Sequence, residues 1–177
     1  MTIPLSDRIL PSAVPAATTD AHSPTAALSA FELQMTELYE RVDAVVASHS
    51  PVCNNRGLCC KFAAFGHRLY VTEPEIRYFI SGLANDWRPA DPDRTDCPYQ
   101  IGGVCTARQH RPLGCRIFFC EERSQAWQGP VYEQFLVELK AIGLALELPY
   151  SYREWLSALR EGPPPETIDA GPPETLI

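Results

Sequence analysis

The sequence lacks a long apolar run: none of its stretches approaches the roughly 20 consecutive apolar residues that a membrane-spanning helix needs. The N-terminal stretch also lacks the continuous apolar core of a signal peptide, because Pro4, Asp7, Arg8 and Pro11 interrupt it. We therefore expect a cytoplasmic protein without a membrane partner. In that reducing compartment, clustered thiols bind metal more often than they form disulfides.

Nucleotide-binding and hydrolase motifs are absent as well, since the sequence contains no phosphate loop, dinucleotide fingerprint or nucleophile elbow. Basic residues are also in deficit, with 15 Lys and Arg against 22 Asp and Glu and a net charge of −7. This balance argues against a nucleic-acid partner. The segment 53–123 is the exception, because it carries ten basic and eight acidic residues.

Proline separates the chain into one domain and two tails. Residues 1–25 carry four prolines and residues 162–177 carry five, a density at which a helix cannot continue. We expect disordered tails at 1–25 and 162–177 around a single domain at 26–161. The protein is expected to be a monomer, and an unidentified protein partner is possible.

Apolar spacing predicts a mainly α domain with little strand. A stripe of apolar residues at steps of three and four predicts a helix over about 26–48, and similar stripes predict helices over about 130–147 and 150–160. A short strand-like run ends at Thr72, an N-cap candidate with Glu75 as its capping-box partner, and Gly82 is expected to end that helix. Residues 84–125 show no periodicity, so we expect helices packed around an irregular, cysteine-rich, metal-centred loop core.

All seven cysteines lie between positions 53 and 120. A Gly-Gly turn between Cys97 and Cys105 predicts a small loop that brings these two sulfurs together. Thiolates are ligands of zinc and of iron–sulfur clusters, so four convergent cysteines would form a closed site. No CxxC pair is present, and an odd number of cysteines cannot form a complete set of intramolecular disulfides. Reduced structural thiols and a disulfide framework are the alternatives to metal binding.

Four ordered pieces, "CNNRGLCC", "LYVTEPEI", "CPYQIGGVC" and "RQHRPLGCRIFFC", resemble the YkgJ family of cysteine-cluster proteins, which is regarded as a zinc- or iron-chelating domain. The resemblance covers about residues 53–120 and implies a bacterial metal-binding protein. The family's hallmark is a CxxCxxCC run, and Arg56 stands here where the second cysteine of that run is expected. A guanidinium has no lone pair to donate, so Arg56 cannot be a ligand.

Our ranked metal ligands are Cys60, Cys97, Cys105 and Cys115, with Cys53, Cys59 and Cys120 as additional or alternative ligands. The expected cofactor is an iron–sulfur cluster, [4Fe–4S] before other types, or Zn²⁺, because both accept four cysteines. The site would be structural or redox-active and saturated with sulfur. Nearby basic residues that could offset the thiolate charge are Arg56, Lys61, Arg111 and Arg116.

Two other functions stay open. A weak resemblance to flagellin lysine N-methylases implies a metal-dependent, protein-modifying enzyme, and the acidic helices would suit a zinc-stabilised interaction module. His67 and His110 could each supply an imidazole ligand, although a hydrogen-bonding role is expected. Glu73 and Glu75 could act as an acid/base pair, but the capping position of Glu75 favours a structural role.

Overall fold

The computed structural model describes residues 24–53, 57–83, 87 and 89–162, with the side chains of 24–29 left out. The predicted tails therefore lie outside the described residues, apart from positions 24, 25 and 162. Arg56 lies outside them too. Among the described residues, no helix is both long and apolar enough to cross a membrane.

Helices dominate the described chain, and the prediction of a mainly α protein with little strand is confirmed. The described residues form six α-helices: α1 Pro24–Ser48, α2 Phe62–Phe65, α3 Glu73–Leu83, α4 Leu113–Ile117, α5 Gln125–Ala145 and α6 Trp155–Glu161. The same part of the chain forms four strands: β1 Tyr70–Thr72, β2 Gln100–Ile101, β3 Val104–Cys105 and β4 Tyr152–Glu154. Short 3-10 turns lie at Leu58–Cys60, Arg108–His110 and Glu122–Ser124.

The long terminal helices follow the apolar stripes of the sequence. In α1 the stripe buries Phe31, Met35, Leu38 and Val42, as its spacing predicts. Helix α5 starts five residues earlier than expected, at Gln125, and buries Phe135, Leu136 and Leu139. The early start is compatible with Pro130, which lies inside the helix.

Thr72 and Glu75 form the predicted cap at the start of α3. The Thr72 backbone N–H and hydroxyl both donate to Glu75 Oε2, at 2.7 and 2.8 Å. These bonds satisfy a buried donor at the junction between β1 and α3. Helix α3 includes Leu83, so the expectation that Gly82 ends the helix is wrong.

The expected helix over 150–160 is only half correct. Residues 152–154 form strand β4, which pairs antiparallel with β1 so that Tyr70 faces Glu154 and Thr72 faces Tyr152. Helix α6 begins at Trp155, and Glu154 caps it by accepting a hydrogen bond from the Ser157 N–H. Strand pairing with β1 outweighs the helical spacing of Tyr152 and Trp155.

Two apolar clusters form the core of the described chain. One joins α1, α4 and α5 around Met35, Leu38 and Leu139. The other joins β1, α3 and α6 around Ile76, Phe79 and Trp155, and it includes Cys60 and Cys97 from the cysteine-rich segment. Cys60 and Cys97 therefore pack within an apolar cluster, and Cys105 packs against it.

Candidate metal centre

The turn that carries Cys59 and Cys60 lies directly against the β2–β3 hairpin. Gly57 precedes the turn with a φ of 64°, and a Cβ there would lie 2.6 Å from Gln100 Nε2 and 3.1 Å from the Gly103 carbonyl oxygen. Only glycine meets both requirements without strain. The turn is fixed further by the Cys97 N–H, which donates to the Cys60 carbonyl oxygen at 2.8 Å.

The predicted turn between Cys97 and Cys105 is present as a hairpin. Gly102 and Gly103 have positive φ values of 58° and 86°, which suits the turn of a two-residue hairpin loop. Strands β2 and β3 pair Gln100 with Cys105. The Thr106 N–H then donates to the Tyr99 carbonyl oxygen at 2.8 Å, which closes the base of the loop.

Three thiols interact directly. Cys59 Sγ lies 3.9 Å from Cys60 Sγ, and Cys60 also interacts with Cys97 across the turn and the hairpin. The contact with the Cys60 side chain is the main cause that lowers the pKa of Cys59 to about 6 and that of Cys97 to about 7. The same two contacts raise the pKa of Cys60 and favour its protonated form. Cys59 and Cys97 thus have thiolate character, which a metal ligand needs.

Cys105 and Cys115 lie within the electrostatic range of Cys59 and Cys97. Burial raises the pKa of Cys105 and, more strongly, that of Cys115, and the charges of Cys59 and Cys97 raise both further. The Arg111 guanidinium interacts with both of them and with Cys59, and burial lowers its own pKa. Arg111 is therefore placed to offset the negative charge of thiolates or of a sulfur-bound metal.

A cavity of about 230 Å³ opens on the other side of Cys59. Its wall contains Cys53, Cys59, Cys115 and Cys120. Glu121 joins the two segments that border it, because its carboxylate accepts hydrogen bonds from the Val52 N–H at 3.0 Å and the Ser124 hydroxyl at 2.8 Å. All seven predicted ligands therefore lie in one region, with Cys59 bordering both the thiol cluster and this cavity.

The side chains do not enclose an ion position as they stand. Within the described ranges, no group of three or more His, Cys, Asp or Glu side chains is placed to hold a metal ion. Cys59, Cys60, Cys97, Cys105 and Cys115 are thiols rather than disulfide halves. By donor chemistry they fit zinc or an iron–sulfur cluster, because soft thiolates select these metals.

The two histidines considered as metal ligands, His67 and His110, lie outside the thiol cluster. His67 Nε2 hydrogen-bonds the Cys59 carbonyl oxygen at 3.1 Å and thereby supports the turn. The His110 ring packs against Gly82, where a Cβ would lie 2.1 Å from its Nδ1, and burial lowers its pKa. Gly82 is therefore needed for the close approach of the His110 ring.

Arg116 and Glu73 have structural partners away from the thiols. The buried Arg116 guanidinium binds Asp43 Oδ2 at 2.7 Å and the backbone carbonyls of Gln109 and Arg111, and it lies over the Tyr39 ring. This arrangement holds segment 109–111 against α1, so the idea that Arg116 offsets thiolate charge is replaced by this structural role. Glu73 pairs with Arg77 and Arg153.

One positioning residue was predicted only in part from the sequence. Glu75 Oε1 accepts a hydrogen bond from the Leu113 N–H at 2.8 Å, in addition to the cap at Thr72. The buried carboxylate thus fixes the start of α4, two residues before Cys115. The capping-box spacing identified Glu75, but no local signal pointed to a backbone donor 38 residues away.

Comparison with known proteins adds no relative: no family model, curated protein or solved structure matches this chain. The resemblance to the YkgJ family therefore rests on the four motif pieces alone and stays an expectation.

Proposed function

We propose that this chain binds a metal through clustered thiolates, in a structural or redox role. The supporting observation is that the turn of Cys59 and Cys60 lies against the hairpin of Cys97 and Cys105. Cys59 Sγ is 3.9 Å from Cys60 Sγ, the Cys97 N–H donates to the Cys60 carbonyl oxygen at 2.8 Å, and Cys115 shares a cavity wall with Cys59. Cysteines that served only as small apolar core residues would not need to come together from such distant positions in the sequence. Binding would release the protons of the ligating thiols and would connect metal affinity to the stability of this region.

One candidate site is a single ion at Cys59, Cys60 and Cys97 with Cys105 as the fourth ligand, so that Cys59 takes the place that the sequence expectation gave to Cys115. Two thiolates on one zinc ion, each about 2.3 Å from the metal in tetrahedral geometry, stand about 3.8 Å apart. The Cys59–Cys60 separation of 3.9 Å matches this spacing. Zn²⁺ or a single iron would suit such a site.

The four-cysteine cavity supports a different occupant, an iron–sulfur cluster. Cys53, Cys59, Cys115 and Cys120 border a volume of about 230 Å³, more than one ion needs. Such a cluster would supply redox chemistry or rigidity, while Arg111 would offset its charge. The Cys59 thiol borders both regions, so simultaneous occupation would require it to ligate in only one of them.

Metal and sulfide analysis of the anaerobically purified full chain tests this proposal. We expect one metal site per chain with all-sulfur ligands, and acid-labile sulfide distinguishes a cluster from zinc. Cys97→Ser should abolish the metal at the turn site, whereas Cys120→Ser should abolish a cluster in the cavity. Ser48→Ala, an exposed hydroxyl deletion at the end of α1, is the matched control and should keep full metal content.

A metal-free, sulfide-free chain with seven reduced thiols would contradict the proposal. The enzyme and the interaction module stay predictions, since no described residue set favours either of them over metal binding. The resemblance to the YkgJ family supports the proposal as far as the motif pieces extend.

A further inference from the structure

A large aromatic groove runs beside the thiols, between α2, β1, α4, α5 and β4. Its volume is about 750 Å³, within the range of about 300–1,000 Å³ typical of small-molecule sites. The apolar side chains that shape it are Phe65, Leu69, Tyr70, Phe118, Tyr132 and Tyr152. Phe65 and Phe118 are 54% and 45% exposed, so the folded chain itself leaves much of this apolar surface in contact with water.

The aromatic rings are held in place by one another. Tyr70 and Tyr152 stack with centroids 5.4 Å apart, and Phe118 lies 5.3 Å from Tyr132. The Tyr132 and Tyr152 hydroxyls hydrogen-bond at 3.0 Å. One hydroxyl of that pair donates to the other, which leaves the second O–H available to a bound molecule. The groove is thus a preformed apolar surface with a polar hydroxyl pair.

The described part of the groove wall carries one permanent charge, which is positive. The wall also contains Cys59, Cys115 and Cys120, and the lowered pKa of Cys59 makes its thiolate the negative group of the wall. Among the described residues that line it, Arg68 is the only permanently charged side chain and His67 the only other titratable base, while no Asp or Glu is present. This is unusual in a chain whose acidic residues outnumber its basic ones by 22 to 15. Arg68 and His67 also line a neighbouring depression with Arg94 and Arg160, where Glu154 is the one described acid.

We propose that this groove binds a small amphipathic anion, with a hydrocarbon or aromatic body on the tyrosine and phenylalanine rings and a single carboxylate-type head at Arg68. The body gains by burying apolar surface against Phe65, Phe118 and the Tyr70–Tyr152 stack. The head is attracted by Arg68 and by the positive potential of the neighbouring arginines. Among the described lining residues a cationic head could pair only with the Cys59 thiolate, and Arg68 would repel it.

Three eight-carbon probes separate the contributions of body and head. Octanoate, octanol and octylammonium are each titrated into the full-length protein as isolated, below their aggregation concentrations, and binding is followed by backbone amide shifts in heteronuclear NMR. We expect octanoate to bind most tightly, octanol more weakly and octylammonium least. The shifted amides should be those of residues 65–70 and 152, and the metal content of the sample should not change.

Two variants test the roles of head and body separately. Arg68→Gln should weaken octanoate by roughly fivefold, the size expected of a partly exposed ion pair, and leave octanol unchanged. Arg41→Gln is the matched control, because it makes the same change in net charge outside the groove and should affect none of the probes. Phe65→Ser, which removes an exposed ring, should weaken octanoate and octanol by the same factor.

Equal affinity for octanoate and octylammonium overturns the proposal, as does equal weakening of octanoate by Arg68→Gln and Arg41→Gln. A concentration-dependent dimer that Phe65→Ser converts to a monomer would show that a second copy covers the groove, and this also overturns it. Because Cys59, Cys115 and Cys120 line the groove, wild type and variants are compared at matched metal content. The readouts here are probe affinities and not metal content, so failure here leaves the proposed metal site intact.

Discussion

Glu75 gives the sharpest test of how the fold positions the cysteine-rich segment. Its buried carboxylate accepts three hydrogen bonds: two from Thr72, at 2.7 and 2.8 Å, and one from the Leu113 N–H at 2.8 Å. All three partners are donors. Glu75→Gln keeps the size of the side chain but turns one acceptor into an NH₂ group, which must face a donor.

The magnitude follows from this mismatch. A hydrogen bond to a charged group is worth about 1.5–3 kcal/mol, and a buried donor left without an acceptor costs about 1–3 kcal/mol. Removing the buried charge recovers part of that loss, because burial raises the pKa of Glu75 and so penalises its ionised form. We therefore expect Glu75→Gln to lower the free energy of unfolding by about 2–4 kcal/mol.

Urea denaturation followed by circular dichroism at neutral pH measures the change. Glu37→Gln provides the matched control, since Glu37 is exposed on α1 and the same substitution there should stay within about 0.5 kcal/mol. The Glu75 variant should also lose amide protection at Leu113. A change no larger than the control, with that amide still protected, would refute the reasoning.

Three further outcomes are expected. The pKa of Glu75 is higher in the folded chain than in the unfolded chain, so the unfolded chain ionises first as pH rises. The stability advantage of the wild type over Glu75→Gln should therefore shrink as pH rises from about 4.5. Urea titrations of both proteins over this pH range measure the change. Arg116→Met should destabilise the chain by about 2–3 kcal/mol, because the buried guanidinium loses its bonds to Asp43 and to the carbonyls of Gln109 and Arg111. The exposed Arg41→Met should cost under about 1 kcal/mol, and thermal melts giving equal losses would disprove this. Gly82→Ala should destabilise the folded chain by about 1–3 kcal/mol despite the better helix propensity of alanine, because the new Cβ meets the His110 ring. Combining it with His110→Ala should restore part of the lost stability, and a double-mutant cycle with purely additive effects would contradict this.

The sequence predicted those parts of the fold that depend on local spacing. The stripe in α1, the Thr72–Glu75 cap and the Gly-Gly hairpin each depend on residues within a few positions of one another. Strand β4 was missed because it is three residues long and forms only against β1, about 80 residues away. Two- and three-residue strands carry too few alternating positions to leave a pattern.

The candidate site was predictable in its residues but not in its arrangement. Clustering of cysteines in the sequence indicated convergence, yet only the fold brings the 57–60 turn against the hairpin through Gly57. Arg111 and Arg116 look equivalent in "RPLGCR", but the start of α4 sends Arg116 to Asp43 on α1 and leaves Arg111 beside the thiols. The aromatic groove had no sequence signal, because its rings come from five separate elements.

X-ray absorption at the metal edge of anaerobically purified protein examines the thiol site most directly. We predict a first coordination shell made only of sulfur, at about 2.3 Å from the metal. A shell dominated by nitrogen or oxygen, or a preparation without stoichiometric metal, would contradict the account.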